Sequence, residues 1–244
     1  MDSAATADGQ LVVLHRRELA GMLAQKGWDP ALEVGDLTYA EVLQLDASGA
    51  GDRVPTVRQV VALFQHRVRT LVLDVKTRDR ADGNGDGVGS EADMARRVGA
   101  LIREAGCGNC VAWAKADRVV RLLQAELAKA PAAGAAVGYV VANETAAHVA
   151  AGLHRVVEGR LEELAPAPEY VAVHHGMAGP ATLAAAHAAG RTVVGWTANT
   201  GPILRRLLDE GVDGIVSNYP RTVLRAVAAK RRACEQRHAA RVEP

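Results

Sequence analysis

Aromatic side chains are scarce, 3% of 244 residues with a single Phe, so the core has to be filled mainly by Ala, Val and Leu. An excess of charge is missing as well: 29 Lys and Arg against 28 Asp and Glu leave a net charge of +1. A nearly neutral chain lacks the clustered positive charge that a broad nucleic-acid footprint needs. No apolar run approaches the roughly 20 residues of a membrane-crossing helix. The first ten residues are polar and include Asp2 and Asp8, unlike a secretory leader. Three Cys, an odd number, make no disulfide framework. Cys107 and Cys110 form a lone CxxC. A redox or zinc pair is one reading of it, and two small residues at a loop-to-strand junction is the simpler one, since no second ligand pair is visible.

What is present is alternation. Short apolar, β-branched segments stand at Leu11–Leu14, Thr70–Val75, Cys110–Ala114, Ala136–Val141, Tyr170–His174, Thr192–Trp196 and Gly214–Ser217. Most are continuous apolar runs, as suits strands of a parallel sheet buried on both faces. Helical spacing lies between them. Val57, Val60, Val61, Phe64 and Val68 share one helix face, as do Met94, Val98, Leu101, Ile102 and Ala105 behind a Ser90-Glu91 start. Asp117–Ala128, Pro180–Ala189 and Pro202–Glu210 complete the set, the last two followed by Gly190 and Gly211. The pattern predicts an α/β fold. An open doubly wound sheet would carry a Gly-rich turn after its first strand, but that turn reads His15-Arg16-Arg17-Glu18. A TIM-type (β/α) barrel is therefore expected, incomplete at its N-terminus, because only seven strand candidates stand for eight. The whole of 1–244 reads as one domain, with 229–244 a basic tail that is a solvated last helix or a contact for acidic lipid.

Several residues could carry chemistry. Asp74 and Lys76 sit two apart at the end of an apolar strand and so point to one side. At the C-terminal rim of a barrel they could hold a divalent cation and an anionic oxygen, or they could form a plain ion pair. His15 ends the first strand candidate, where it could act as a general acid or base or be a simple strand-end residue. His174-His175 are adjacent, so at most one would face a barrel mouth, and Trp196 could wall a pocket or fill the core. Asp82, Asn84 and Asp86, with Gly87 and Asp93, nearly fit a twelve-residue calcium loop, but position 12 is Asp and a strand precedes it. A Gly/Asp loop beside the site is the preferred reading.

Together these segments resemble the glycerophosphodiester phosphodiesterase family, particularly its plant-type members. The similarity runs through Thr6-Ala7-Asp8-Gly9 to His15, Gly35-Asp36-Leu37-Thr38, Val54-Pro55-Thr56-Val57, Asp74-Val75-Lys76, Cys110–Lys115, Gly138–Val141, Trp196-Thr197-Ala198-Asn199 and Gly211–Ser217. The resemblance implies a TIM-type barrel, a phosphoric diester hydrolase of lipid and glycerol metabolism that releases an alcohol and glycerol 3-phosphate with the help of a divalent metal cation, magnesium or calcium. It implies His15 as the acid that protonates the leaving alcohol, Asp74 as a metal ligand, Lys76 as the cation on the phosphate and Trp196 as a wall near the glycerol. A small-molecule substrate is the implied partner.

Departures from the family pattern set a further expectation. The family's H-R-G strand, P-E-N-T segment and E-x-D strand have no counterpart before Thr6, Arg16 follows His15 in place of an Asp, and Asn218 stands where an Asp is frequent. Activity of this chain is therefore expected to be weak or absent. The alternative is an inactive barrel that binds a glycerophosphate-like ligand or a protein partner. The strands at Leu11–Leu14 and Gly214–Ser217 are expected to be open edges that invite self-association.

Overall fold

The computed structural model describes residues 1–77, 87–129, 134–141 and 168–242, in two compact units, Met1–Tyr139 and Val140–Pro244. In the first unit the strand order is β2-β1-β3-β4-β5, with β1 Asp2–Ala5, β2 Leu11–Val13, β3 Leu71–Val75, β4 Cys110–Ala114 and β5 Ala136–Val141. Strand β1 runs parallel to β3 and antiparallel to β2, and the other pairs are parallel. All five residues of β4 are buried, which accounts for its unbroken apolar run.

Helices begin where the sequence supplies caps. In α1 (Arg16–Lys26) the cap is His15, whose ring accepts the Arg17 N–H. Thr38 caps the short α2 (Tyr39–Val42), and Thr56 caps α3 (Val57–Phe64) in a reciprocal box with Gln59. Ser90 caps α4 (Glu91–Ala105), and Gly106, in the left-handed region at φ 59°, ends it. Helix α5 (Asp117–Ala128) starts after Ala116, which offers no side-chain cap. A first core joins Ala4, Val12 and Leu14 to Leu19 and Leu23 of α1 and to Val34, Leu37, Val42, Leu45 and Val54 of the segment that follows. Truncating a fully buried Leu such as Leu19 or Leu23 to Ala costs about 2–5 kcal/mol.

The second unit carries three parallel strands, β6 (Tyr170–His174), β7 (Thr192–Trp196) and β8 (Gly214–Ile215), with α6 (Pro180–Ala188), α7 (Gly201–Glu210) and α8 (Pro220–Val242). Gly195 lets α7 approach the strand: a Cβ there would stand 2.8 Å from a methyl of Leu207. Asp213 accepts the Val193 N–H at 2.8 Å and meets His187 Nε2 at 2.9 Å, tying α6 to the start of β8.

The structure bears out the α/β class and the parallel strand–helix succession, and it corrects three details. A strand does precede the Thr6 turn: β1 was hidden because Asp-Ser-Ala-Ala is short and has no β-branched residue. Leu11–Val13 is therefore the return arm of a hairpin rather than the first parallel strand, and its outer edge is partly covered, since Val13 donates to the Pro55 carbonyl at 2.9 Å. Cys107 and Cys110 are joined in a disulfide across the turn from α4 to β4, where the simpler reading had two unlinked small residues. Asp93, position 12 of the supposed calcium loop, accepts from Arg96, Arg97 and the Gly89 N–H, so its oxygens are already taken. Residues 78–86, which contain Asp82, Asn84 and Asp86, lie outside the described residues.

Candidate functional site

The strand register assembles the site of the first unit. Asp2 lies opposite Asp74 on β3, and Asp74 opposite Trp113 on β4, so their side chains share one face of the sheet. Lys76, two residues on, returns to that face. Its Nζ lies 2.7 Å from Asp74 Oδ2 and 3.2 Å from Asp2 Oδ1. Burial of Lys76 opposes its charge, but the carboxylates of Asp74 and Asp2 outweigh burial and hold the ammonium above the usual lysine range.

Register also places His15. Ser3 is opposite Val13 on one side and Val75 on the other, and β2 runs against β1. Continuing β2 by two residues brings His15 within about one 3.3 Å rung of the Asp74 level, two strands away. His15 and Asp74 thus lie at the same end of this sheet. The turn that fixes this register is tightly bonded. Thr6 Oγ1 accepts the Gln10 N–H at 2.9 Å and donates to Asp8, and Asp8 Oδ1 accepts the Tyr39 N–H at 3.0 Å. The Thr6 hydroxyl chiefly holds the Asp8 carboxyl below its usual range.

Two demands meet on His15 Nδ1. It accepts the Arg17 N–H at 3.1 Å and stands 3.0 Å from Glu18 Oε2. In the neutral ring the first contact puts the proton on Nε2, and in the imidazolium the second gives Nδ1–H a carboxylate. Glu18, one turn into α1, thereby supplies the partner that Arg16 cannot. Sequence reasoning passed over Glu18 and Asp2. The signals available were an acid in the first helical turn after His15 and an acid four residues before Thr6.

In the second unit, Trp196 ends β7 beside His174 of β6 in register. Its indole N–H donates to the Ala172 carbonyl at 3.2 Å, and its ring stands edge-on to His174 with centroids 5.3 Å apart. The chain turns after His174, and the rings of His174 and His175 come to 4.2 Å from each other.

The donor set can be tested against the divalent cation that the resemblance implies. A hard cation gathers six or more oxygen ligands. Asp2 and Asp74 are two carboxylates already matched to an ammonium, and among the described residues no three His, Cys, Asp or Glu side chains gather. These residues do not fit the cation by themselves.

Comparison with known proteins agrees with this picture of the fold. Residues 1–222 match the glycerophosphoryl diester phosphodiesterase family. Glycerophosphodiester phosphodiesterase GDPD4 of Arabidopsis thaliana is 26% identical over 226 residues, 90% of this chain and 61% of that protein. The chain thus spans less than two thirds of that relative's length. Among solved structures, a Silicibacter pomeroyi protein assigned as a glycerophosphoryl diester phosphodiesterase is similar with a TM-score of 0.73 at 21% identity, over 94% of this chain and 82% of the other. A phosphodiesterase from Oleispira antarctica, solved with the product sn-glycerol-3-phosphate, has a TM-score of 0.67 at 18% identity, over 93% and 83%. At such identities the likeness is one of fold, the α/β, TIM-type barrel, of which this chain spans most.

Proposed function

The chain belongs to the glycerophosphoryl diester phosphodiesterase family, and we propose that it acts on glycerophosphodiesters as a phosphoric diester hydrolase of low turnover, with 1–244 as one domain. The observation that carries this reading is the Lys76 ammonium, held between Asp2 and Asp74 at the end of the sheet where His15 also lies.

In this reading Lys76 meets a phosphoryl oxygen and offsets the charge that grows on it as the bond to the alcohol breaks. His15 donates from Nε2 to the departing alkoxide, and Glu18 on Nδ1 steadies the imidazolium from which that proton comes. Trp196 walls the glycerol end. Asp74, expected to be a metal ligand, has Lys76 as its partner, and activation of the attacking water is assigned to none of the described side chains. That gap is what makes turnover low, since a positioned general acid or base is typically worth about 10²–10⁴ in rate.

The alternative, a ligand-binding barrel without chemistry, is favoured by the same pairing, because Lys76 occupies both carboxylates. The discriminating experiment incubates the purified chain with glycerophosphocholine and magnesium or calcium and measures released glycerol 3-phosphate. Slow release that His15→Ala abolishes supports the hydrolase. Tight glycerol 3-phosphate binding without release supports the binding module, and neither release nor binding overturns both.

A further inference from the structure

Charge is nearly balanced over the whole chain but not along α8. Between Pro220 and Arg237 stand six Arg and Lys against one acid, Glu235, while the rest of the chain has more acids than bases. Three of those cations have partners. Lys230 pairs with Asp209 of α7 and, helped by Arg237 and Arg205, holds that carboxyl below its usual range. Arg231 Nε lies 2.9 Å from Glu235, and Arg237 donates to Cys234 Sγ at 3.3 Å. Arg221, Arg225 and Arg232 are exposed and, among the described residues, meet no carboxylate. On a helix of 3.6 residues per turn they fall within about 40° of one another, a stripe roughly 16 Å long.

Apolar surface borders that stripe. Val216, Tyr219, Leu224 and Val227 are all exposed, Leu224 at 68% and Tyr219 at 57%. Leu224 lies about 60–100° round the helix from the three arginines, with Ala228 between, so cations and apolar side chains share one face. A nucleic-acid backbone would use the arginines and leave the apolar side chains in water. The surface of a bilayer with anionic headgroups uses both, guanidinium groups at the phosphates and Tyr and Leu just beneath them. No helix among the described residues is long and apolar enough to cross a membrane, so the contact is one of surface.

The turn before α8 fixes which part of the second unit this face presents. Val216 and Tyr219 lie in that turn, and it is bonded to the turn after β7. Ala198 donates to the Val216 carbonyl at 2.8 Å, and Asn199 Oδ1 accepts the Asn218 N–H at 2.9 Å. Trp196, the last residue of β7, directly precedes that second turn. A lipid surface on Tyr219 and Leu224 therefore stands beside the strand ends where Trp196 sits.

We propose that the turn from β8 to α8 and the exposed face of α8 form a docking surface for an anionic lipid bilayer, with Arg221, Arg225 and Arg232 on headgroup phosphates and Tyr219 and Leu224 in the interface. The surface belongs to the second unit alone and does not depend on the hydrolase reading.

The test is co-sedimentation of the full chain with lipid vesicles. Phosphatidylcholine vesicles with about one third phosphatidylglycerol should retain the chain, and pure phosphatidylcholine should bind it at least about tenfold more weakly. An arginine near such a surface is worth about fivefold, so Arg221→Gln, Arg225→Gln and Arg232→Gln combined should weaken binding about a hundredfold. A thermal melt checks that this variant keeps the wild-type fold. Removing the same charge from the first unit, with Arg53→Gln, Arg67→Gln and Arg69→Gln combined, should weaken binding by less than about threefold. Equal losses in the two triple variants overturn the docking face. Leu224→Gln should weaken binding about fivefold, and unchanged binding overturns the role given to the apolar side chains. Equal binding to both kinds of vesicle, or tighter binding to a DNA duplex than to the anionic vesicles, overturns the lipid assignment. So does a dimer in sedimentation velocity that Leu224→Gln dissociates, since a second copy then covers this face.

Discussion

Arg97 reaches from α4 to the carbonyl of Gly9, 2.8 Å away, and so pins the turn whose two arms carry Asp2 and His15. Gly9 sits at φ +81°, and a Cβ there would lie 2.5 Å from the Arg97 guanidinium. Gly9→Ala should therefore cost about 1–2 kcal/mol from backbone strain alone, plus the displaced Arg97 contact. In urea denaturation, Arg97→Ala should make the Gly9→Ala penalty smaller. A penalty unchanged by Arg97→Ala would mean that the guanidinium does not press on the turn.

Behind Arg97 stands Asp93, which also accepts from Arg96 and from the Gly89 N–H. Burial works against its charge, yet the Arg97 hydrogen bond, the Gly89 N–H and the two guanidinium charges hold its carboxyl below the usual range. A depressed folded value means stability that is present above the unfolded value near 3.9 and lost as pH falls through the folded one. Asp93→Asn should cost about 2 kcal/mol at neutral pH. Thermal melts should show a gap between wild type and variant that is constant from about pH 5 to 8 and closes below about pH 4. A gap that persists in acid would contradict the linkage.

The Lys76 ammonium is shared by Asp2 and Asp74. Lys76→Met should lower stability at pH 7 by about 2 kcal/mol, because the carboxylates lose the cation that bonds to both. Adding Asp74→Asn should restore part of that loss. Urea melts of the single and double variants report both effects, and a double variant no more stable than Lys76→Met would contradict the pairing.

The Cys107–Cys110 bond closes a loop with a sequence separation of 3. Chain-entropy reasoning gives roughly 2 kcal/mol for so short a loop. Reduction should therefore lower the melting temperature by a few degrees without abolishing cooperative folding. Cys107→Ser with Cys110→Ser should match the reduced wild type. Loss of the folded state on reduction would show that the bond holds more than its own turn.

Strand–helix alternation was legible because buried parallel strands need unbroken apolar runs, and Cys110–Ala114 and Tyr170–His174 have them. The helix start at Ser90 was legible because caps are local chemistry. Strand β1 was not, since what makes Asp2–Ala5 a strand is the pair of neighbours it lies between, Leu11–Val13 and Leu71–Val75. The same holds at the site. Spacing placed Asp74 and Lys76 on one side, but Asp2 joins them only through sheet register, and Glu18 meets His15 only once α1 forms.

The five-residue link from Thr6 to Gln10 works as a length gauge. Because β2 returns antiparallel, each residue added to or removed from that link slides Val12 and His15 along β1 and turns Val12, now fully buried, to the opposite face. Insertions that an ordinary surface loop would tolerate are thus excluded here. Among engineered or natural length variants of this chain, those altered between Thr6 and Gln10 should lose the placement of His15 relative to Lys76 before they lose the parallel strands β3 and β4.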